Sequence, residues 1–306
     1  METLVTGITG SIGRTLAPAL LDAGHGVRGF TRDASRVKVD VDDIVEGDAI
    51  SGSGLDAALD GIEVAYYLIH SMEAGANGAF DTQEREAAER FAAAAERAGV
   101  RRIVYLGGPV PSDGSHVSRH LGSRLAVEET LLAAVESSIA FRASIVISAG
   151  SRSFLFLVHL IERMPFLPMP AWTRNRSMPI DGRDVTDYLV RAADAPDAVA
   201  GRAWDAVGPE RMTHGTLMER IADAMMVSRP ALRLNFSLTP VAAPVAAAVA
   251  GEDVDLIGPL MESLGSELLP RDEAAAGAFG VRLHSFDAAV ERSLRDLETV
   301  EEVRAR

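Results

Sequence analysis

Three glycines near the start of the chain, Gly7, Gly10 and Gly13, are evenly spaced within Thr6-Gly7-Ile8-Thr9-Gly10-Ser11-Ile12-Gly13. Glycines at such spacing let a backbone turn tightly, approach a pyrophosphate and pack a helix closely on a strand. An apolar pair, Leu4-Val5, enters the turn, and Leu16, Leu20 and Leu21 mark one face of the helix that leaves it. Strand, glycine turn and helix is the order a dinucleotide-binding fingerprint requires. The helix N-terminus offers free N–H groups and a partial positive charge to the phosphates.

The next charged residues with chemical meaning close the second strand, Val27 to Thr31, at Arg32-Asp33. An acidic residue there reads the 2′-hydroxyl of NAD, whereas a guanidinium grips a 2′-phosphate bidentately. Arg32 at the strand end, with Arg14 and Arg36 able to flank the same group, favours NADP, and Asp33 keeps NAD as the alternative.

The elements that must hold these residues alternate along the first two-thirds of the chain. Asp43 to Glu46 reads as a short strand, Leu55 to Leu59 as a helix, and Ile62 to Ile69 as a near-continuous apolar run. That last pattern marks a central parallel strand, buried on both faces. A helix from Thr82 to Arg97, a strand from Arg102 to Leu106, a helix from Arg119 to Val135 and a strand from Ile139 to Ile147 follow. Such alternation predicts an α/β fold, a Rossmann-type doubly wound parallel sheet. Beyond Ser148 come an apolar segment, Phe154 to Ile161, a proline-rich stretch to Pro170, the segment Asp181 to Val185 leading into a helix to Ala195, and a strand at Trp204 to Gly208. The remainder is helical in pattern, with Ser285 as the expected cap of the last helix. Residues 1–208 are read as the nucleotide-binding domain and 209–306 as a smaller, mostly helical C-terminal substrate lobe, to which 150–180 contribute.

Composition narrows the function. The 306 residues carry a net charge of −14, which argues against a general nucleic-acid or acidic-membrane surface. No apolar run approaches the roughly 18 residues of a membrane span. The first strand leaves no room for a signal peptide after Met1, so a cytoplasmic protein is expected. There is no cysteine, which removes disulfides, thiolate catalysis and cysteine-ligated metals. Lys38 is the only lysine, and the other basic residues are arginines. An acidic, arginine-rich surface fits adaptation to salt, and a GC-rich genome would give the same bias. The partners expected are a small-molecule substrate and, as an open option, a second copy of the chain in a homo-oligomer.

With these residues in view, the sequence resembles the extended or atypical short-chain dehydrogenase/reductase family, close to its NmrA-like NAD(P)H-binding members. The likeness rests on Thr6 to Gly13, Arg32-Asp33, Gly47-Asp48, Tyr66 to Met72, Arg102 to Gly108 and Pro179 to Val185. It implies that Thr6, Gly7, Thr9, Gly10, Ser11, Ile12 and Gly13 form the cofactor turn. It further implies Asp48 near the adenine, Leu68 and His70 near the adenosine ribose, and Gly107 at the nicotinamide edge.

Active members of that family carry a Ser or Thr after the fifth strand and a Tyr-x-x-x-Lys pair on the following helix. Here the strand ends in Leu106-Gly107-Gly108, and the helix position reads His120-Leu121-Gly122-Ser123-Arg124. On a helix His120 and Arg124 share a face. Arg124, always protonated, can hold a ribose or phosphate but cannot act as acid or base. His120, with an ordinary pKa of about 6.5, can supply a proton. These two are the candidate catalytic residues; the competing reading makes them ordinary helix residues.

His116 lies in the loop before that helix. His25, His159, His214 and His284 are scattered without metal-ligand spacing, so no metal is expected. Arg174 and Arg176 beside Trp172 either face a ligand or sit in a solvated loop. Gly-x-Ser-x-Gly is absent, which weakens a hydrolase reading.

The leading expectation is an NADP(H)-dependent oxidoreductase acting on a small carbonyl- or quinone-type substrate. A non-catalytic NADP(H)-binding redox sensor or assembly subunit is the alternative. A sugar-nucleotide epimerase or dehydratase ranks third.

Overall fold

The computed structural model describes residues 1–69, 80–110, 119–234, 258, 261 and 263–299. In chain order the elements begin β1 (Glu2–Thr6), α1 (Ser11–Asp22), β2 (Gly26–Thr31), β3 (Asp43–Glu46), α2 (Leu55–Leu59) and β4 (Val64–Tyr67). They continue α3 (Phe80–Ala98), β5 (Arg102–Gly107), α4 (Arg119–Ala134), β6 (Ile139–Ala143), β7 (Val146–Ile147) and α5 (Arg152–Arg163). After these come β8 (Leu167–Met169), β9 (Arg176–Ser177), β10 (Ile180–Asp181), α6 (Gly182–Ala193) and β11 (Arg202–Ala206). The C-terminal part adds β12 (Met212–Thr213), α7 (His214–Ala224), β13 (Ala231–Arg233), α8 (Ala275–Phe279) and α9 (Phe286–Glu298).

Seven strands form one sheet in the order β11-β6-β5-β4-β1-β2-β3, and every neighbouring pair is parallel. Helices cover both faces, so β4 and β5 are buried along their whole length, as their apolar runs require. The strand order reverses between β1 and β4. In open α/β sheets a ligand binds in the crevice beyond the carboxyl ends at such a point.

Three expectations about strands change, the first being Trp204 to Gly208, which is β11 at Arg202–Ala206. Ile62 to Ile69 contributes only Val64–Tyr67 to the sheet. The run Ile139 to Ile147 is two strands, because Ser144 and Ile145 turn the chain between them. The Ser144 amide donates to the Ala206 carbonyl (3.2 Å), and the Ile145 carbonyl accepts from the Ile180 amide (2.9 Å). β7 then pairs with β10 outside the main sheet.

A second core gathers under α5, α7 and α9, with Phe154, Ile161, Leu217, Ile221, Phe286 and Leu294 at its centre. Phe279 of α8 packs instead against the main sheet, with ring centroids 5.0 Å from Phe141 and 5.6 Å from Trp204. The expected cap at Ser285 is formed, its hydroxyl accepting from the Ala288 amide at 3.4 Å, and Asp181, which the sequence reading did not mark as a cap, accepts from the Arg183 amide at 2.8 Å. Asp181 also ties α9 to the body of the fold through Arg292 Nη2 at 3.0 Å. Among the described residues no helix is long and apolar enough to cross a membrane.

Candidate active site

The turn after β1 is set by backbone geometry. Gly7 has φ +63°, and a Cβ there would meet the Leu68 carbonyl oxygen at 2.8 Å, so the ends of β1 and β4 close on each other. Such a position admits only glycine without strain. Thr6 is fully buried; its hydroxyl donates to the Tyr66 carbonyl (2.9 Å) and accepts from the Leu68 amide (3.0 Å). It therefore bolts β1 to β4 with its side chain turned away from the cleft. Gly13 also lies beneath the turn, where a Cβ would stand 2.5 Å from the Gly7 carbonyl oxygen and lift α1 off the strand. Gly10 caps α1 without a side-chain hydrogen bond, which leaves the first-turn amides of Ser11 and Ile12 to a ligand. These features fit the pyrophosphate of a dinucleotide.

From this turn a single cleft of about 1270 Å³ runs along the carboxyl edge of the sheet. That exceeds the roughly 300–1,000 Å³ of a site for one drug-sized ligand. Gly7, Thr9, Gly10, Ser11, Ile12, Arg32, Asp48, Leu68, Gly107 and Arg124 all line it, which brings most of the residues expected from sequence into one place. Thr6 and Gly13 stand behind its wall. His70 and His116 lie outside the described residues, and so does the side chain of His120, whose backbone belongs to the first turn of α4.

At one end Arg32 and Arg36 border the cleft with Asp48. Asp33 does not. Its carboxylate accepts from the hydroxyl (2.6 Å) and amide (3.0 Å) of Ser35, and those hydrogen bonds hold its pKa below the ordinary value. Arg32 makes no ion pair among the described residues, so its guanidinium is available to an anion.

In the middle, Gly108 lies under Arg124, whose Cδ would be 3.4 Å from a Cβ added to that glycine. The Tyr105 hydroxyl donates to the Arg124 carbonyl at 3.3 Å. All four tyrosines, Tyr66, Tyr67, Tyr105 and Tyr188, are buried in the core and none lines the cleft. Burial, the largest cause for each, pushes their phenol pKa values well up. Lys38 is directed to the Ser35 carbonyl at 3.5 Å, also away from the cleft. A tyrosine–lysine proton donor is therefore absent among the described residues.

Among the polar groups of the cleft that the sequence reading did not place there, Ser144 and His214 are buried and carry an atom without a hydrogen-bond partner among the described residues. Ser144, just past β6 and beside the β5 end, is buried, and its hydroxyl has no hydrogen-bond partner among the described residues. The signal available was a serine interrupting an apolar run. His214 opens α7 at the far end, where Phe156, Leu157, Trp172, Leu217 and Met218 make the wall apolar. The sequence around it marks only a helix start, where Thr213 Oγ1 accepts from the Thr216 amide at 3.0 Å, and gives no sign of a site.

The remaining charged candidates are committed elsewhere. Arg176 holds Glu267 bidentately at 2.7 and 3.0 Å and does not line the cleft. His25 faces Asp194 (3.4 Å) and His284 faces Asp184 (2.5 Å). No cluster that could hold a metal ion occurs among the described residues.

Comparison with known proteins agrees with this geometry. Residues 7–137 match the family model described as NAD(P)H-binding. Over 111 residues the chain is 34% identical to a Mycobacterium tuberculosis protein named 3 beta-hydroxysteroid dehydrogenase/Delta 5-->4-isomerase, a match spanning 33% of this chain and 30% of that one. Over 203 residues it is 30% identical to ceramide reductase of Caulobacter vibrioides, spanning 63% of this chain and 61% of the relative. A short-chain dehydrogenase/reductase superfamily protein from Agrobacterium tumefaciens, solved with bound NAD, superposes with a TM-score of 0.69 at 19% identity, covering 98% and 97% of the two chains. At that identity the likeness is one of fold.

Proposed function

We propose that this chain, whose residues 7–137 match an NAD(P)H-binding family model, is an NADP(H)-dependent reductase of apolar carbonyl compounds. One observation carries the reading: the cleft that Gly107 and Gly108 line is lined also by Phe156, Leu157, Trp172, Leu217 and Met218, which belong to one apolar cluster. Such a wall gains from removing apolar surface from water. The names of the two curated relatives, a hydroxysteroid dehydrogenase and a ceramide reductase, point to apolar substrates as well.

The cofactor is assigned as NADP(H) because Arg32 and Arg36 border the cleft while Asp33 is occupied with Ser35. Bound along the cleft, NADPH would supply a hydride to an electrophilic carbon. The chain's own part is to hold the phosphates on the α1 amides, grip the 2′-phosphate with Arg32, and keep water from the apolar chamber. Arg124 would hold the ribose or a phosphate beside Gly108, and Ser144 would donate a hydrogen bond to the substrate oxygen. The proton for that oxygen is assigned to His120 or to a water molecule.

Burial of every tyrosine favours a second reading, an NADP(H)-binding sensor without turnover. Calorimetry with NADPH and NADH, followed by product analysis with a panel of aldehydes, ketones, enones and quinones, separates the two. Tighter NADPH binding with alcohol formation supports the reductase. Tight binding with no product from any member of the panel supports the sensor.

A further inference from the structure

His214 is 2% exposed, and its Nε2 has no hydrogen-bond partner among the described residues. It alone of the described histidines borders the cleft. Its backbone is fixed twice: the amide donates to the Asn175 carbonyl at 3.0 Å, and Thr213 caps the helix it opens. The ring packs edge-on against Trp172, with centroids 6.2 Å apart at 64°. An unpaired polar atom buried among apolar side chains costs about 1–3 kcal/mol, so a lone one in a ligand cleft marks a place where a ligand atom completes it.

We propose that His214 anchors a second, uncharged oxygen of the substrate, a hydroxyl or carbonyl remote from the carbon that accepts the hydride. The substrate class is then an apolar ring or chain compound carrying two oxygen functions, one reduced beside Gly108 and one held at the start of α7. This rests on the carbonyl reductase reading of the cleft. Burial holds the imidazole pKa down to about 4, so the ring is neutral at ordinary pH and suits an uncharged partner. If the ring served only for packing, phenylalanine in its place would leave the substrate preference unchanged.

The test uses the full chain loaded with NADPH and two probes, a decalone with a distal hydroxyl and the parent decalone. Binding is followed by tryptophan fluorescence, turnover by alcohol formation. Wild type is expected to bind the hydroxylated probe about tenfold more tightly than the parent, near pH 7 and without change up to pH 9. His214→Phe should lose that tenfold preference while keeping its affinity for the parent and for NADPH, and His214→Gln should regain part of it. Equal loss for both probes in His214→Phe, or no preference in wild type, overturns the proposal. The wild-type comparison decides the matter even where a variant fails to fold. If the preference is present in binding but neither probe is reduced, the reductase reading fails and the anchor stands. If neither probe binds, both fail.

Discussion

The two ends of the cleft are built by different means. At the nucleotide end the backbone dominates: Gly7, Gly10 and the open amides of α1 form the cradle, and Thr6 serves only to fasten two strands beneath it. At the far end side chains dominate, with Trp172, Leu217 and Met218 around the single orphaned nitrogen of His214. A backbone cradle recognises a feature common to every dinucleotide, whereas a chamber of side chains can be reshaped for each substrate. The division explains why the cofactor is written in a short motif and the substrate is not.

Breaking the joint between the ends should have the largest effect. Asp181 sits on the body of the fold and holds Arg292 of α9 as well as Arg183. Asp181→Ala, which removes a helix cap and a carboxylate with no exposed surface, should lower unfolding free energy by about 3 kcal/mol in denaturant titration. The same group has a pH signature. Burial raises its pKa, but the hydrogen bonds from Arg183 and the charge of Arg292 outweigh that and hold it below the ordinary value. A depressed folded pKa means stability that is full above the unfolded value, about 3.9, and is lost as pH falls from there through the folded pKa. The acid limb of the stability profile should therefore flatten in Asp181→Ala.

The backbone end is broken by one methyl group. Gly7→Ala places a Cβ against the Leu68 carbonyl at a positive φ and should weaken NADPH binding roughly 100-fold by calorimetry. Gly24 has a similar φ of +82° with open space around it, so Gly24→Ala should lose about 1 kcal/mol of stability and keep its NADPH affinity. Next in size is Arg32→Ala, expected to weaken NADPH about 30-fold and leave NADH unchanged, since it would remove the proposed charge-assisted contact to the 2′-phosphate alone. Smallest is Ser144→Ala, which should lower kcat about tenfold with NADPH affinity intact.

The nucleotide half was legible because its signals are local. The glycine spacing and the apolar strands each lie within a few residues of what they control, as does the cap at Ser285 in the C-terminal lobe. The break at Ser144 was hidden because it depends on Ala206 and Ile180, which are distant in sequence, so Ile139 to Ile147 reads as one strand. Thr6 looked like part of the cofactor turn, yet its hydroxyl is directed by strand β4, more than fifty residues on. His214 was unreadable as a site for the same reason: nothing near it in the chain tells that Trp172 and the cleft will enclose it.

The central claim is that the cleft passes a hydride from NADPH to an apolar carbonyl carbon. It is tested most directly with NADPH deuterated at nicotinamide C4, one face at a time, incubated with the protein and the hydroxylated decalone. The expected result is deuterium on the carbinol carbon of the product from one labelled face only, read by mass spectrometry. Recovery of unreduced ketone from a protein that demonstrably binds NADPH would contradict it.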